Sequence, residues 1–83
     1  MTGQEALSPV MGILQELEED NSVPKNVRFK ISGIRKIMMQ QVEMEIKKSK
    51  VLHQLEEISE DMNLQSYTRT QIWDLISSIE HLQ

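Results

Sequence analysis

The chain has 83 residues, enough for one domain and for a core only marginally able to stand alone. It contains no cysteine, which excludes disulfides and thiolate chemistry. The formal net charge is −4, and no apolar run approaches the roughly 18 residues that a membrane span requires.

Glycine and proline are scarce and apolar residues recur at helical spacing, a combination that predicts an all-α chain. Helix 1 carries the stripe Leu7, Val10, Met11, Leu14 and Leu17, widened by Ile13. Its start has two candidates. Thr2-x-x-Glu5 has the form of a capping box, whereas Ser8-Pro9 reads as an N-cap followed by proline at the first helical position. Because proline inside a helix removes a hydrogen bond, the regular helix is expected from about Pro9.

Asp20-Asn21-Ser22 breaks the pattern, with Ser22 expected to cap helix 2 and Pro24 to sit in its first turn. Val27, Ile31, Ile34 and Met38 form the buried stripe of helix 2. The stretch Met39-Gln40-Gln41-Val42-Glu43 contains no Gly, Pro or Asn, so it carries no stop signal. Helix 3 follows with Met44, Val51, Leu52, Leu55, Ile58 and Met62. Asp61-Met62-Asn63 ends it, and Asn63 is the expected cap of helix 4. That helix has the widest apolar face: Ile72, Trp73, Leu75, Ile76, Ile79 and Leu82.

The halves repeat. Leu14 and Leu17 match Leu52 and Leu55, 38 residues on, while Asp20, Ser22, Val23, Arg28 and Ile31 match Asp61, Asn63, Leu64, Arg69 and Ile72, 41 residues on. The three extra residues are placed at the end of helix 3 and its loop. Two helical hairpins, about 5–40 and about 44–82, are thus expected to close on each other as a four-helix bundle within one domain, 1–83.

Charge is unevenly spread. Residues 1–24 carry five acids and no base, 25–50 eight bases and two acids, and 51–83 six acids and one base. Helices of opposite sign packed side by side would neutralise one another. A basic face with a purpose is the rival, built on helix 2 from Lys25, Arg28, Arg35 and Lys36 around Phe29. On a helical wheel Phe29 falls opposite Val27, Ile31 and Ile34, where it could seat a neighbouring chain or stack a base.

The equivalent Arg28 and Arg69 suit structural contacts that tie each loop to nearby carbonyls or acids, with a phosphate or partner contact as the rival. Trp73, four residues after Arg69, reads as core with a wet edge or as a partner anchor. His53 and His81 lie outside any Glu-x-x-His pattern, and His81 suits the dipole at the end of helix 4. No nucleophile–base pair, phosphate-binding glycine loop or metal cluster is written in the sequence, so no enzyme activity, cofactor or metal is expected.

The run from Leu55-Glu56-Glu57-Ile58-Ser59-Glu60-Asp61-Met62-Asn63 to Arg69-Thr70-Gln71-Ile72-Trp73 resembles Uncharacterised Protein Family 0147, a set of short archaeal helical proteins. The stretch from Asp20 through Ser22-Val23-Pro24-Lys25-Asn26-Val27-Arg28 is similar to the same family's first loop. The resemblance implies an archaeal origin and a compact helical bundle, and implies no activity. The chain departs from the family pattern at Met62 and Gln65, where proline is usual. It departs again at Gln41-Val42-Glu43-Met44-Glu45, in place of an acidic, proline-containing break. That second departure bears on whether helices 2 and 3 are separate.

Function is therefore expected to be non-enzymatic: an interaction or structural module that forms a homodimer or docks on a larger protein. One alternative is an accessory nucleic-acid binder using the basic face of helix 2. Another is a homodimer that exchanges helices, with helices 2 and 3 fused. Met1-Thr2-Gly3 opens no export signal, and a cytoplasmic location with no membrane contact is expected.

Overall fold

Apolar stripes at 3.6-residue spacing leave each helix with one face that only a neighbour can cover. The computed structural model describes residues 3–82, with side chains from Pro9 onward. It contains four helices: α1 (Gly3–Glu19), α2 (Lys25–Met38), α3 (Met44–Ser59) and α4 (Ser66–Glu80). No strand occurs among the described residues, and none of their helices is long and apolar enough to cross a membrane. α1 packs on α2 and α4, and α3 packs on α2 and α4, so the helices stand at the corners of a square. The bundle measures 36 × 20 × 19 Å.

The core is the set the periodicity marks. Val10, Leu14, Leu17, Val27, Ile31, Ile34, Met38, Val51, Leu55, Ile58, Ile72, Leu75, Ile76, Ile79 and Leu82 are buried, joined by the loop residues Val23 and Leu64. Met11, Ile13, Met44 and Leu52 pack against this core partly buried. Leu7 and the Thr2 to Glu5 capping box lie outside the described side chains.

Several expectations are corrected. α1 does not begin at Pro9 but runs through it from Gly3. Ser22 and Asn63 do not cap: the N-caps are Pro24 and Gln65, neither with a side-chain cap bond, so Pro24 precedes α2 rather than opening it. Met62, read as part of the helix 3 stripe, is 92% exposed. Helices 2 and 3 are separate, which removes the fused, exchanged form.

The register of the two halves also differs from the sequence match. Buried Val10, Leu14, Leu17, Val23, Val27, Ile31, Ile34 and Met38 return 41 residues on as Val51, Leu55, Ile58, Leu64, Thr68, Ile72, Leu75 and Ile79, all buried. One spacing therefore relates the eight buried positions of the first half to buried positions of the second, with no three-residue insertion between them, while Ile76 and Leu82 have no buried counterpart. Leu52 is the partner of half-buried Met11, not of Leu14.

Candidate functional site

Each hairpin loop is organised by its aspartate. Asp20 Oδ1 accepts hydrogen bonds from the Ser22 amide at 2.9 Å and the Ser22 hydroxyl at 2.7 Å. These two donors, with the Arg28 guanidinium adding charge attraction, hold the Asp20 carboxyl below its ordinary value of 3.8. Asp61 Oδ1 accepts in the same way from the Asn63 amide at 2.8 Å. The turns deliver Val23 and Leu64 into the core.

The paired arginines then close the loops. Arg28 Nε donates to the Val23 carbonyl at 3.1 Å. Arg69 uses two nitrogens, Nε to the Ser59 carbonyl at 3.3 Å and Nη2 to the Asp61 carbonyl at 2.9 Å. A planar fork of donors suits such splayed acceptors. Both arginines face carbonyls of their own hairpin.

Two lysines that the sequence reading does not single out do similar work at helix ends. Lys47 is buried, and its Nζ donates to the Met38 carbonyl at 3.0 Å, closing the C-terminus of α2. Lys48 Nζ donates to the Glu80 and Leu82 carbonyls, each at 2.9 Å, at the C-terminus of α4. Terminal carbonyls lack helical donors, and a cation there is also favoured by the dipole. A signal for Lys47 existed: position 47 falls on the seam Met44, Val51, Leu55, Ile58, where a charge is out of place. His81 Nδ1 lies 2.7 Å from the Ser77 carbonyl at the same end of α4.

Of the candidate residues around Phe29, Arg35 is engaged inside the chain. Its Nε lies 2.6 Å from Glu18 Oε2. That close contact is ionic rather than a formed hydrogen bond, because Nε has no partner in hydrogen-bonding geometry. The hydrogen bond runs from Nη2 to Oε1 at 3.4 Å. Opposite charges on α1 and α2 thus meet at their seam. Lys25 and Lys36 are exposed and take part in no ion pair among the described residues.

Phe29 itself is 81% exposed. Its surroundings follow from the wheel at about 100° per residue. Arg35 reaches Glu18, so that flank of α2 turns toward α1, and the flank with Lys30, Gly33 and Ile37 turns toward α3. Lys48 reaches the end of α4, so the flank of α3 with Ile46, Lys50, His53 and Glu57 turns toward α2. Phe29, Gly33, Ile37 and Ile46 therefore share the outer side of the α2–α3 hairpin. Met39 and Val42, also exposed, stand at its tip. Sequence reading singled out Phe29 alone on this side.

Trp73 lies apart on α4. Ile72, Leu75, Ile76, Ile79 and Leu82 are buried, while Trp73 is 52% exposed, more open than a core residue with a wet edge. Nothing brings it beside Phe29, since α2 and α4 occupy opposite corners of the bundle.

The model of Uncharacterised protein family (UPF0147) matches residues 1–82. A UPF0147 protein of Methanocaldococcus jannaschii is 35% identical over 83 residues, covering 99% of this chain and 89% of that protein. A UPF0147 protein of Thermoplasma volcanium is also 35% identical, covering 95% of this chain and 90% of that one. The crystal structure of a protein from the same uncharacterised family of Thermoplasma acidophilum superposes with a TM-score of 0.91 at 32% identity, covering 96% of this chain and 95% of that one. By near-complete coverage, sequence and fold alike, the chain belongs to the archaeal Uncharacterised protein family UPF0147.

Proposed function

We propose that the chain is a non-enzymatic binding module, which acts by presenting a surface. The observation that carries this is that Phe29, 81% exposed, and Ile46, 45% exposed, stand on the same outer side of the α2–α3 hairpin. A small domain gains nothing in its own stability from holding such side chains in water, and apolar groups grouped on one face suit contact with another protein. The polar side chains with the most built geometry, those of Lys47, Lys48, Arg28 and Arg69, are occupied with backbone carbonyls.

Nucleic acid is the competing ligand class. Arg28 and Arg35, whose forks would best grip phosphates, are engaged with the Val23 carbonyl and with Glu18, which leaves the exposed lysines Lys25, Lys30, Lys36 and Lys50, point charges without a fork, and favours an apolar contact. The test compares the native chain with a Phe29→Ala, Ile46→Ser double variant as baits in extract of the source organism. A partner retained by the native chain and lost by the variant supports the proposal. Equal retention, or loss of the partner on nuclease treatment, overturns it.

A further inference from the structure

We infer that the outer side of the α2–α3 hairpin receives an acidic protein segment, in which carboxylates flank apolar side chains; this rests on the binding-module proposal and names the partner's chemistry. Residues 25–50 hold eight bases. Four are committed inside the chain: Arg28 to the Val23 carbonyl, Arg35 to Glu18, Lys47 to the Met38 carbonyl and Lys48 to the end of α4. The other four, Lys25, Lys30, Lys36 and Lys50, are exposed and take part in no ion pair among the described residues.

These free cations gather where the apolar side chains are open. At about 100° per residue, Lys25 and Lys36 lie beside Phe29 on its α1 side, Lys30 on the flank of α2 toward α3, and Lys50 on the flank of α3 toward α2. Counted outward from Gln41, Lys50 comes level with Ser32 and Gly33, at a height between Ile46 and Phe29. An added Cβ at Gly33 meets nothing within 4 Å, so a side chain laid there has room. α2 carries no acid. Glu43 stands at the tip of this side and Glu57 at its far end, the latter held by exposed His53 at 3.0 Å. The side is therefore basic on a chain of net charge −4, so it complements a negative, partly apolar segment and repels a second copy. Phe29 is its lone aromatic, with Ile37 and Ile46 where a base-stacking platform would need further rings.

Amide chemical-shift mapping by NMR on the full chain tests this with defined probes: a glutamate-rich copolymer of glutamate and tyrosine, poly-glutamate, poly-uridine RNA and phosphatidylserine vesicles. The copolymer binds most tightly, shifts the amides of Phe29, Gly33, Ile46 and Lys50, and weakens roughly 5- to 10-fold from about 20 mM to about 300 mM salt. A Lys30→Gln, Lys50→Gln double variant binds it roughly 5- to 10-fold more weakly, and Glu57→Gln binds it about 2-fold more tightly. Tightening is an outcome that loss of stability cannot produce. Shifts confined to other surfaces, poly-glutamate equal to the copolymer, or tighter binding of RNA or vesicles overturns the inference, as does a Glu57→Gln variant that fails to tighten. The lysine double variant also serves as a further bait in the extract. A partner lost with Phe29→Ala, Ile46→Ser yet fully retained by the lysine variant overturns the acidic partner and leaves the binding module standing.

Discussion

The Lys47 ammonium donates to the Met38 carbonyl at 3.0 Å from within the bundle, so a charge on α3 closes the end of α2. α2 has no glycine or asparagine at its end; its C-cap is Met39 in right-handed helical geometry, with φ −87° and ψ −8°. The lysine supplies what a C-terminal glycine motif usually supplies, a donor for an orphan carbonyl. Lys47→Ala is expected to lose about 2–3 kcal/mol, because a charge-assisted bond and a buried stem go together. Lys47→Met keeps the stem and should lose about half as much. Urea unfolding measures both, and equal costs for the two variants would refute a role for the ammonium.

Arg69 reaches its two carbonyls from two different nitrogens of one planar guanidinium, a splayed reach that the single ammonium nitrogen of a lysine does not match. Arg69→Lys should therefore cost about 1–2 kcal/mol and Arg69→Ala about 2–3 kcal/mol. Hydrogen exchange should locate the loosening at the junction of α3 and α4. A fully tolerated Arg69→Lys would show that charge alone suffices there.

Asp20 gives a pH-dependent expectation. Its carboxylate is the acceptor for both Ser22 donors, and the folded state holds its pKa below 3.8. The contribution is thus complete above the unfolded value and disappears as pH falls through the folded one. Native chain and Asp20→Ala should differ in urea midpoint near neutral pH and converge in strong acid. A difference that survives at the lowest pH would place the effect elsewhere.

Gly12 and Gly33 lie within helices, and an added Cβ at either meets nothing within 4 Å. Alanine at each should stabilise the folded monomer by about 0.5–1 kcal/mol, since glycine costs helix entropy and packing forbids nothing. Thermal unfolding of dilute protein checks this. A loss at either site would reveal a backbone contact at that glycine.

The core was legible because burial in a bundle obeys the helix period, and all four residues of the Val27, Ile31, Ile34 and Met38 stripe are inside. The loop chemistry was half legible. The spacing marks Asp20 and Asp61 as equivalent, yet it points to Ser22 and Asn63 as the caps, because a short polar residue before a helix is the commoner cap. Here the aspartates bind the amides two residues on and fold the chain into turns instead. The matched Leu14 and Leu52 misled for a related reason. Identical letters aligned at 38, but similar environments recur at 41, where Ile58 takes the place of Leu17.

By itself the sequence determined the helices, their inward faces and the equivalence of the two loops, since these depend on periodicity and on residues close along the chain. Only the tertiary structure decided where α2 stops, that Lys47 and Lys48 serve the ends of other helices, and that Phe29 shares a surface with Ile46. Each of these joins residues separated along the chain, and such neighbours exist only once the helices have packed. The end of α2 shows the difference most plainly: its C-terminal carbonyl is satisfied from the next helix, so no residue within α2 could have announced it.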